Sequence, residues 1–431
     1  MKFPNIAALV AALALISPQA IVAKDAATAV SDPAQLIEDI DAALRANYVF
    51  KDKTSAVIAE LKAKAAAGEY AITTSADELA VLLSGDLVDA TGDRHFYVGH
   101  DPVAESASGE IVNPDAIGVS TILNFKSLKI LPGNVGYLRF DYFSDPDDAH
   151  THVVAAMKHL ESADALIFDM RYNRGGHMGT AQLIMSHLFP GDKDRQLFDY
   201  SYTEEGRYVE RGMWVLHGVP GRRMIDAPVY ILTSTTTFSA AEWFAYSLAE
   251  LDRATVVGRQ TAGAAHPVGM VRVNDQFVMQ IPIGQIHGPL SGGDFEGKGV
   301  RPDIDVPSSK ALEVAYTTAL TQLGESDATG DAKWYLPLVP AVLGTSTASA
   351  DNGRDAVGSY EGRQISLVDG ALTYSWGGRF SLGLIPLGRD VFAVEGTDDY
   401  RFRLVRENGA VIALQREFKD GDTIAYRRIG T

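Results

Sequence analysis

The sequence predicts an α/β core preceded by a small helical bundle and followed by an antiparallel β domain. Three observations predict it. Helical apolar spacing fills residues from about 31 to 92, strand and helix patterns alternate from about 117 to 307, and glycine-marked turns punctuate short strands from Tyr360 onward.

The bundle is read from three starts. Asp32-Pro33-Ala-Gln35 offers an N-cap, a proline at the first helical position and a glutamine at the third, followed by Leu36, Ile37, Ile40, Ala43 and Leu44. A second helix spans roughly Ser55 to Ala67. Ser75-x-x-Glu78 opens a third, with Leu79, Leu82 and Leu83 on one face.

The core reads as strand, crossover helix, strand. Val135 to Phe143 is a strand, and Asp145-Pro146 starts a helix carrying Val153, Val154, Met157 and Leu160. Ala165 to Arg171 is a buried strand, followed by a glycine turn and a helix ending near Phe189. Pro228 to Leu232 and Ala254 to Val257 are further strands, with a helix from Ala240 between them. Residues 271 to 287 read as a hairpin or meander turning at Val273-Asn-Asp-Gln, and a helix follows from about Lys310 to Leu323. The polar stretch Leu343 to Val357 reads as a linker. Asp369-Gly370, Gly377-Gly378, Asn408-Gly409 and Asp420-Gly421 then mark the turns of a small sandwich or barrel. The expected division is residues 1–23, 24–115 (bundle), 116–325 (core), 326–357 (helix and linker) and 358–431 (β domain).

Composition narrows the function. The chain has 431 residues, 46% hydrophobic and 22% charged, which suits a globular protein of more than one domain. A net charge of −17 argues against nucleic-acid binding, which needs a basic surface. There is no cysteine, so disulfides, thiolate metal sites and a cysteine nucleophile are excluded. Lys2, the apolar run Ile6 to Ile16, the Ser17-Pro18 break and the small residues to Ala23 have the layout of a cleaved export signal, too short for a stable membrane anchor. A periplasmic or secreted location is expected, with no metal or organic cofactor. The sequence leaves the oligomeric state open.

Ser239 carries the chemistry. It stands where the strand ending at Leu232 and a polar turn run into the helix from Ala240. A serine there either caps the helix, as Ser239-x-x-Glu242 with Phe238 before it suggests, or is a nucleophile beside backbone N–H groups that stabilise an oxyanion. Arg171-Tyr-Asn-Arg-Gly175-Gly176 turns sharply after a buried strand, either as a tight connection or as a source of one oxyanion donor; the Ala240 N–H is the other. Among ten histidines, His95 is best placed, after Gly92 where the bundle ends; the default for a lone histidine there is structural. No HExxH is present, and His150-x-His152 puts two rings on different helix faces. Glu296, among glycines before Pro302, reads as a solvated loop residue unless the fold brings it to His95.

Four segments in order resemble the C-terminal-processing and tricorn-type serine peptidases, a family that includes the interphotoreceptor retinoid-binding protein modules. They are Phe168 to Gly176, Thr237 to Glu242, Val257 to Gly263 and Glu296 to Asp303. The resemblance implies a ClpP/crotonase-like spiral of ββα units. The processing branch places a lysine base directly after its Thr-x-Gly segment. Here Ala264 stands there, followed by Ala265 and His266, and too little chain lies between His95 and the core for the PDZ domain typical of that branch. The tricorn-like branch uses serine, histidine and glutamate. The resemblance thus implies Ser239 as nucleophile, His95 as base, Glu296 as its orienter, and the N–H groups of Gly176 and Ala240 as oxyanion donors. His266 is the rival base. A peptidase acting on peptides or proteins is the leading expectation. A non-catalytic module for an apolar ligand or peptide, or an ester-directed acyl hydrolase, are the alternatives.

Overall fold

In a computed structural model, residues 32–101, 111–112, 125–204, 207–326, 331–345, 353–388 and 390–430 are described. The export signal, and residues 346–352 of the linker, lie outside them.

Among the described residues three helices come first, α1 (Pro33–Asn47), α2 (Thr54–Ala66) and α3 (Ala76–Thr91). The Asp32 carboxylate accepts the Ala34 N–H at 3.0 Å, and Ser75 caps α3 through the Glu78 N–H at 3.2 Å. Strands β1 (Tyr97–His100) and β2 (Ile111–Val112) follow. The core then runs β3 (Phe125–Leu131), β4 (Val135–Phe140), α4 (Pro146–Leu160), β5 (Ala165–Asp169), α5 (Met178–Ser186), β6 (Gln196–Glu204), β7 (Arg207–Trp214), β8 (Val229–Thr233), α6 (Ala240–Glu250), β9 (Thr255–Gly258), β10 (Val268–Arg272), β11 (Phe277–Pro282), β12 (Gly284–His287), β13 (Ile304–Asp305) and α7 (Ala311–Ser326).

One six-stranded sheet, ordered β13-β9-β8-β5-β4-β3, organises the core. Its strands from β13 to β4 are parallel, and β3 joins antiparallel. Alternation along the strands feeds two cores. Leu166, Phe168 and Ile231 face α4, α5 and α6, whereas Ala165, Ile167, Tyr230 and Leu232 face Ala315, Tyr316 and Leu320 of α7. Helices on both faces explain why β5 and β8 are buried along their whole length.

The predicted bundle does not stand alone. Its helices share a core with Val98 of β1, Val271 of β10 and Phe277, Met279 and Ile281 of β11. These strands form a separate sheet, β1-β11-β10-β2, in which β1 pairs antiparallel with β11. That pairing carries the segment just before β1, with His95, onto the core. The hairpin β6–β7, completed by β12, was not anticipated.

After a short helix, α8 (Asp331–Tyr335), the chain forms eight strands: β14 (Gly358–Tyr360), β15 (Arg363–Val368), β16 (Ala371–Trp376), β17 (Ser381–Gly388), β18 (Val391–Val394), β19 (Thr397–Glu407), β20 (Ala410–Phe418) and β21 (Thr423–Ile429). They close as an up-and-down barrel, β14 against β21. At Asp369-Gly370 and Asn408-Gly409 both residues have positive φ, as a two-residue type I′ hairpin requires.

Phe244 on α6 is fully buried, its ring 5.4 Å from Phe168 and 5.9 Å from Phe143. Phe244→Ala is expected to destabilise the core by about 3–5 kcal/mol, the usual cost of such a cavity, read as an earlier denaturant midpoint.

Candidate active site

Ser239 sits at the junction of β8 and α6 with φ 54° and ψ −124°, a conformation that a non-glycine residue rarely adopts. Two sets of bonds hold it. Its N–H donates to Glu242 Oε2 at 2.9 Å, and its carbonyl accepts the N–H groups of Glu242 and Trp243 at 2.8 and 3.0 Å. The glutamate half of the capping box read from the sequence is therefore present, with Glu242 accepting the Ser239 N–H. The polar turn before it is tied to the end of β5. The Thr237 and Thr236 hydroxyls donate to the carbonyls of Met170 and Arg171, each at 2.8 Å. Strain at a strand-to-helix turn presents a side chain at the end of the sheet, which suits a nucleophile.

The glycine loop packs directly on this turn. A Cβ on Gly175 would lie 2.8 Å from the Ser239 Cβ and 2.9 Å from the Ala240 nitrogen, and one on Gly176 would lie 2.1 Å from the Phe143 carbonyl oxygen. Their φ values are 94° and 121°, so both positions require glycine. Buried Asn173 locks the loop, accepting the Gly175 N–H at 2.8 Å on its side chain and the Phe238 N–H at 3.1 Å on its carbonyl. Gly175 O and His177 N make the bridge to Phe143, which turns the Gly176 N–H away from that strand.

Glu242 is more than a cap. Fully buried, its carboxylate also accepts the Thr261 hydroxyl, the Gly263 N–H at 2.7 Å and the Ala264 N–H at 2.9 Å. Burial pushes its carboxyl up, and these donors oppose the shift. Ala264, where the processing branch has lysine, is itself buried, with its N–H committed to Glu242.

His95 is buried, and its ring lies edge-on to Phe238, the neighbour of Ser239, with centroids 4.9 Å apart. Its Nδ1 meets Asp93 Oδ1 at 3.0 Å, and Asp93 Oδ1 also accepts the His95 N–H at 2.9 Å. A carboxylate at Nδ1 places the proton there and leaves Nε2 as the basic nitrogen. His95 Nε2 is buried and has no hydrogen-bond partner among the described residues.

Glu296, expected on His95, does not occupy that position. Asp93 does, because a carboxylate two residues before a histidine in a tight turn reaches both its backbone and its ring. Glu296 lies beside His266, with Oε2 at 3.5 Å from Nδ1, and accepts the Ala265 N–H at 2.6 Å. His266 in turn donates Nδ1 to Asp93 Oδ2 at 2.6 Å, so one carboxylate bridges two histidines. The ligand atoms of Asp93, His266 and Glu296 fall within 4.8 Å of one another, close enough for a cation, which would have to displace the His266 proton.

Charge follows geometry. Burial alone would raise the Asp93 carboxyl, but hydrogen bonds from His266 and His95 outweigh it and hold it well below the usual range. Burial alone would lower His266, but the bond to Asp93 and the charge of Glu296 leave it raised above 6.5. Glu296 is raised, first by burial and then by the charge of Asp93.

A strained serine, an abutting glycine loop and a carboxylate-bound histidine are the kinds of part that serine peptidases use. The chain matches the model of peptidase family S41 over residues 134–306, and that of the N-terminal domain of Peptidase_S41 in eukaryotic IRBP over residues 18–124. The core region 134–306 is thus that of a family S41 peptidase domain. It is 27% identical over 204 residues to a carboxyl-terminal-processing protease of Picosynechococcus sp., covering 45% of this chain and 46% of that one. It is 25% identical over 236 residues to the carboxy-terminal-processing protease of Bartonella bacilliformis, covering 50% and 48%. The chain thus spans about half the length of these relatives. Among solved structures, a putative peptidase from Parabacteroides merdae aligns at 17% identity over 69% of this chain and 99% of that one, with a TM-score of 0.49. A putative S41 protease from Bacteroides fragilis aligns at 22% identity over 48% and 59%, with a TM-score of 0.40.

The Asp93–His266 contact has a pH signature. His266 is raised in the folded state, so its stabilisation is complete below pH 6.5 and is lost as pH rises through its folded value. Asp93 is depressed, so its contribution is present above the usual carboxylate range and is lost on strong acidification. Asp93→Asn is expected to bring His266 below 6.5 in an NMR titration. The stability gap from wild type should be widest in mildly acidic buffer and shrink towards alkaline pH.

Proposed function

We propose that the protein is an exported serine peptidase in which Ser239 is the nucleophile, His95 the general base, and Asp93 the carboxylate that orients His95. The observation that carries this reading is the buried Nε2 of His95, unpartnered among the described residues, on a ring packed against Phe238, the sequence neighbour of the strained Ser239. A basic nitrogen buried without a donor is costly, and a serine hydroxyl swung onto it when substrate enters would satisfy it.

In this mechanism Ser239 Oγ attacks the peptide carbonyl carbon while its proton passes to His95 Nε2. The carbonyl oxygen becomes an oxyanion that accepts the N–H groups of Gly176 and Ala240. As the tetrahedral intermediate collapses, the C–N bond breaks and His95 returns the proton to the leaving amine. Water, activated by the same nitrogen, then hydrolyses the acyl-enzyme. Asp93 stabilises the imidazolium formed in each half. Glu296 acts one contact further out, by holding Ala265 and facing His266. Peptides or proteins are the substrates, as the names of the processing-protease relatives suggest. Among the described residues no helix is long and apolar enough to cross a membrane. The segment Met1 to Ala23 is read as the signal that directs export to the periplasm or medium.

Intact-mass spectrometry with a fluorophosphonate probe tests the nucleophile. One adduct is expected on wild type and none on Ser239→Ala; labelling that persists in the variant would sink the assignment. Peptide turnover separates the carboxylates. Asp93→Asn should lower kcat by about 10⁴-fold, the order seen when a triad loses its orienting carboxylate, and Glu296→Gln far less. The reverse ranking would restore Glu296 as the direct orienter.

A further inference from the structure

The C-terminal barrel contains a feature that peptide hydrolysis does not use. Its meander puts the turns at 361–362, 377–380, 395–396 and 419–422 at one end. Strand register fixes which residues face inward there. Tyr374 and Phe402 are buried in the barrel core, and alternation places Arg363, Trp376, Tyr400 and Arg416 on the same inner face. Arg363 pairs across strands with Trp376, and Arg416 with Phe402.

Among the described residues the two arginines have rings for neighbours and no acid paired with them. The Arg363 guanidinium lies 4.7 Å from the Trp376 ring and 4.3 Å from the Tyr426 ring. That of Arg416 lies 3.5 Å from Tyr400 and 4.4 Å from Phe418. The Nε atoms of both are buried and make no hydrogen bond among the described residues. Elsewhere in the barrel the pattern differs: Arg401 and Arg403 pair with Glu417, and Arg406 with Asp355 and Asp390. Arg363 Nη2 donates a long bond to the Tyr426 hydroxyl at 3.4 Å, and both guanidiniums act on one phenol, that of Tyr374, which burial pushes up and their charges draw down. They therefore share one end of one barrel. Around it, Trp376, Phe380 and Ile424 are 44%, 40% and 46% exposed.

A closed eight-stranded barrel has room inside for its own side chains or one small ligand. Guanidiniums held on aromatic faces keep their planar forks open for a bidentate oxyanion, and a carboxylate matches that fork. Exposed aromatic and aliphatic rims favour an apolar group beside the charge. We propose that this end of the barrel binds a carboxylate carried on an apolar group, with Arg363 and Arg416 holding the carboxylate and the Trp376–Phe380–Ile424 rim holding the apolar part. Two sources share that chemistry, the free C-terminus of a peptide with apolar last residues and the head of a fatty acid. The site contains neither Ser239 nor His95, so it stands or falls apart from the peptidase reading.

The test is calorimetric titration of the full chain, carrying Ser239→Ala to prevent turnover. The probes are decanoate, its methyl ester, a hexapeptide ending in Phe-Leu with a free carboxylate, and the same peptide as its carboxamide. At least one carboxylate should bind, and its neutral counterpart at least 10-fold more weakly; which carboxylate binds identifies the source. Adding Arg363→Gln and Arg416→Gln together should weaken binding at least 10-fold. The same pair introduced with Ser239 intact should leave fluorophosphonate labelling unchanged. Failure of both carboxylates to bind, equal binding of neutral and charged probes, or undiminished binding by a folded double variant would overturn the proposal. Should that variant not fold, the comparison of charged and neutral probes on the unaltered barrel decides alone.

Discussion

A single buried carboxylate, that of Glu242, holds the site together. It accepts from the Ser239 N–H, the Thr261 hydroxyl and the N–H groups of Gly263 and Ala264. A carboxyl group without water is expensive to ionise, and four donors are what the interior offers in return. Each donor is also a constraint. One holds Ser239 in a backbone conformation it would otherwise leave, and the other three draw the segment after β9 against the start of α6.

The rest of the site follows from that attachment. With residues 261–264 fixed, Ala265 reaches Glu296 and His266 reaches Asp93. Asp93 holds His95, and the His95 ring closes the circuit on Phe238, next to Ser239. The parts come from three regions of the chain far apart in sequence. The antiparallel pairing of β1 with β11 brings the first of them to the others.

Local chemistry was legible in the sequence. The caps at Asp32 and Ser75, the Asp145-Pro146 start of α4, the buried runs of β5 and β8, and the Asn-Gly and Asp-Gly turns are each decided within a few residues, and the structure has them. What escaped depends on partners distant in the chain. The β6–β7 hairpin lacks a strong turn dipeptide, and β12 completes its sheet from some 80 residues away. The bundle helices look self-sufficient until β10 and β11 supply the other half of their core. At the site, Gly175, Gly176 and Ser239 were visible because glycines and a serine at strand-to-helix turns have few local explanations. Asp93 had a signal that went unused, a carboxylate two residues before a histidine after a glycine-capped helix. The Asp93–His266 bond had none, since it joins residues 173 positions apart. Glu242 was visible as a cap, while its three further donors depend on how the chain returns after β9.

The central claim is that His95, held by Asp93, activates Ser239. The rate of Ser239 phosphonylation as a function of pH tests it most directly, compared among wild type, His95→Ala and His266→Ala. Wild type and His266→Ala should both slow as pH falls through the ionisation of one basic group. His95→Ala should be slow throughout and lack that dependence. If His95→Ala instead reacts at the wild-type rate with an unchanged profile, while His266→Ala loses it, the base is His266 and the account fails.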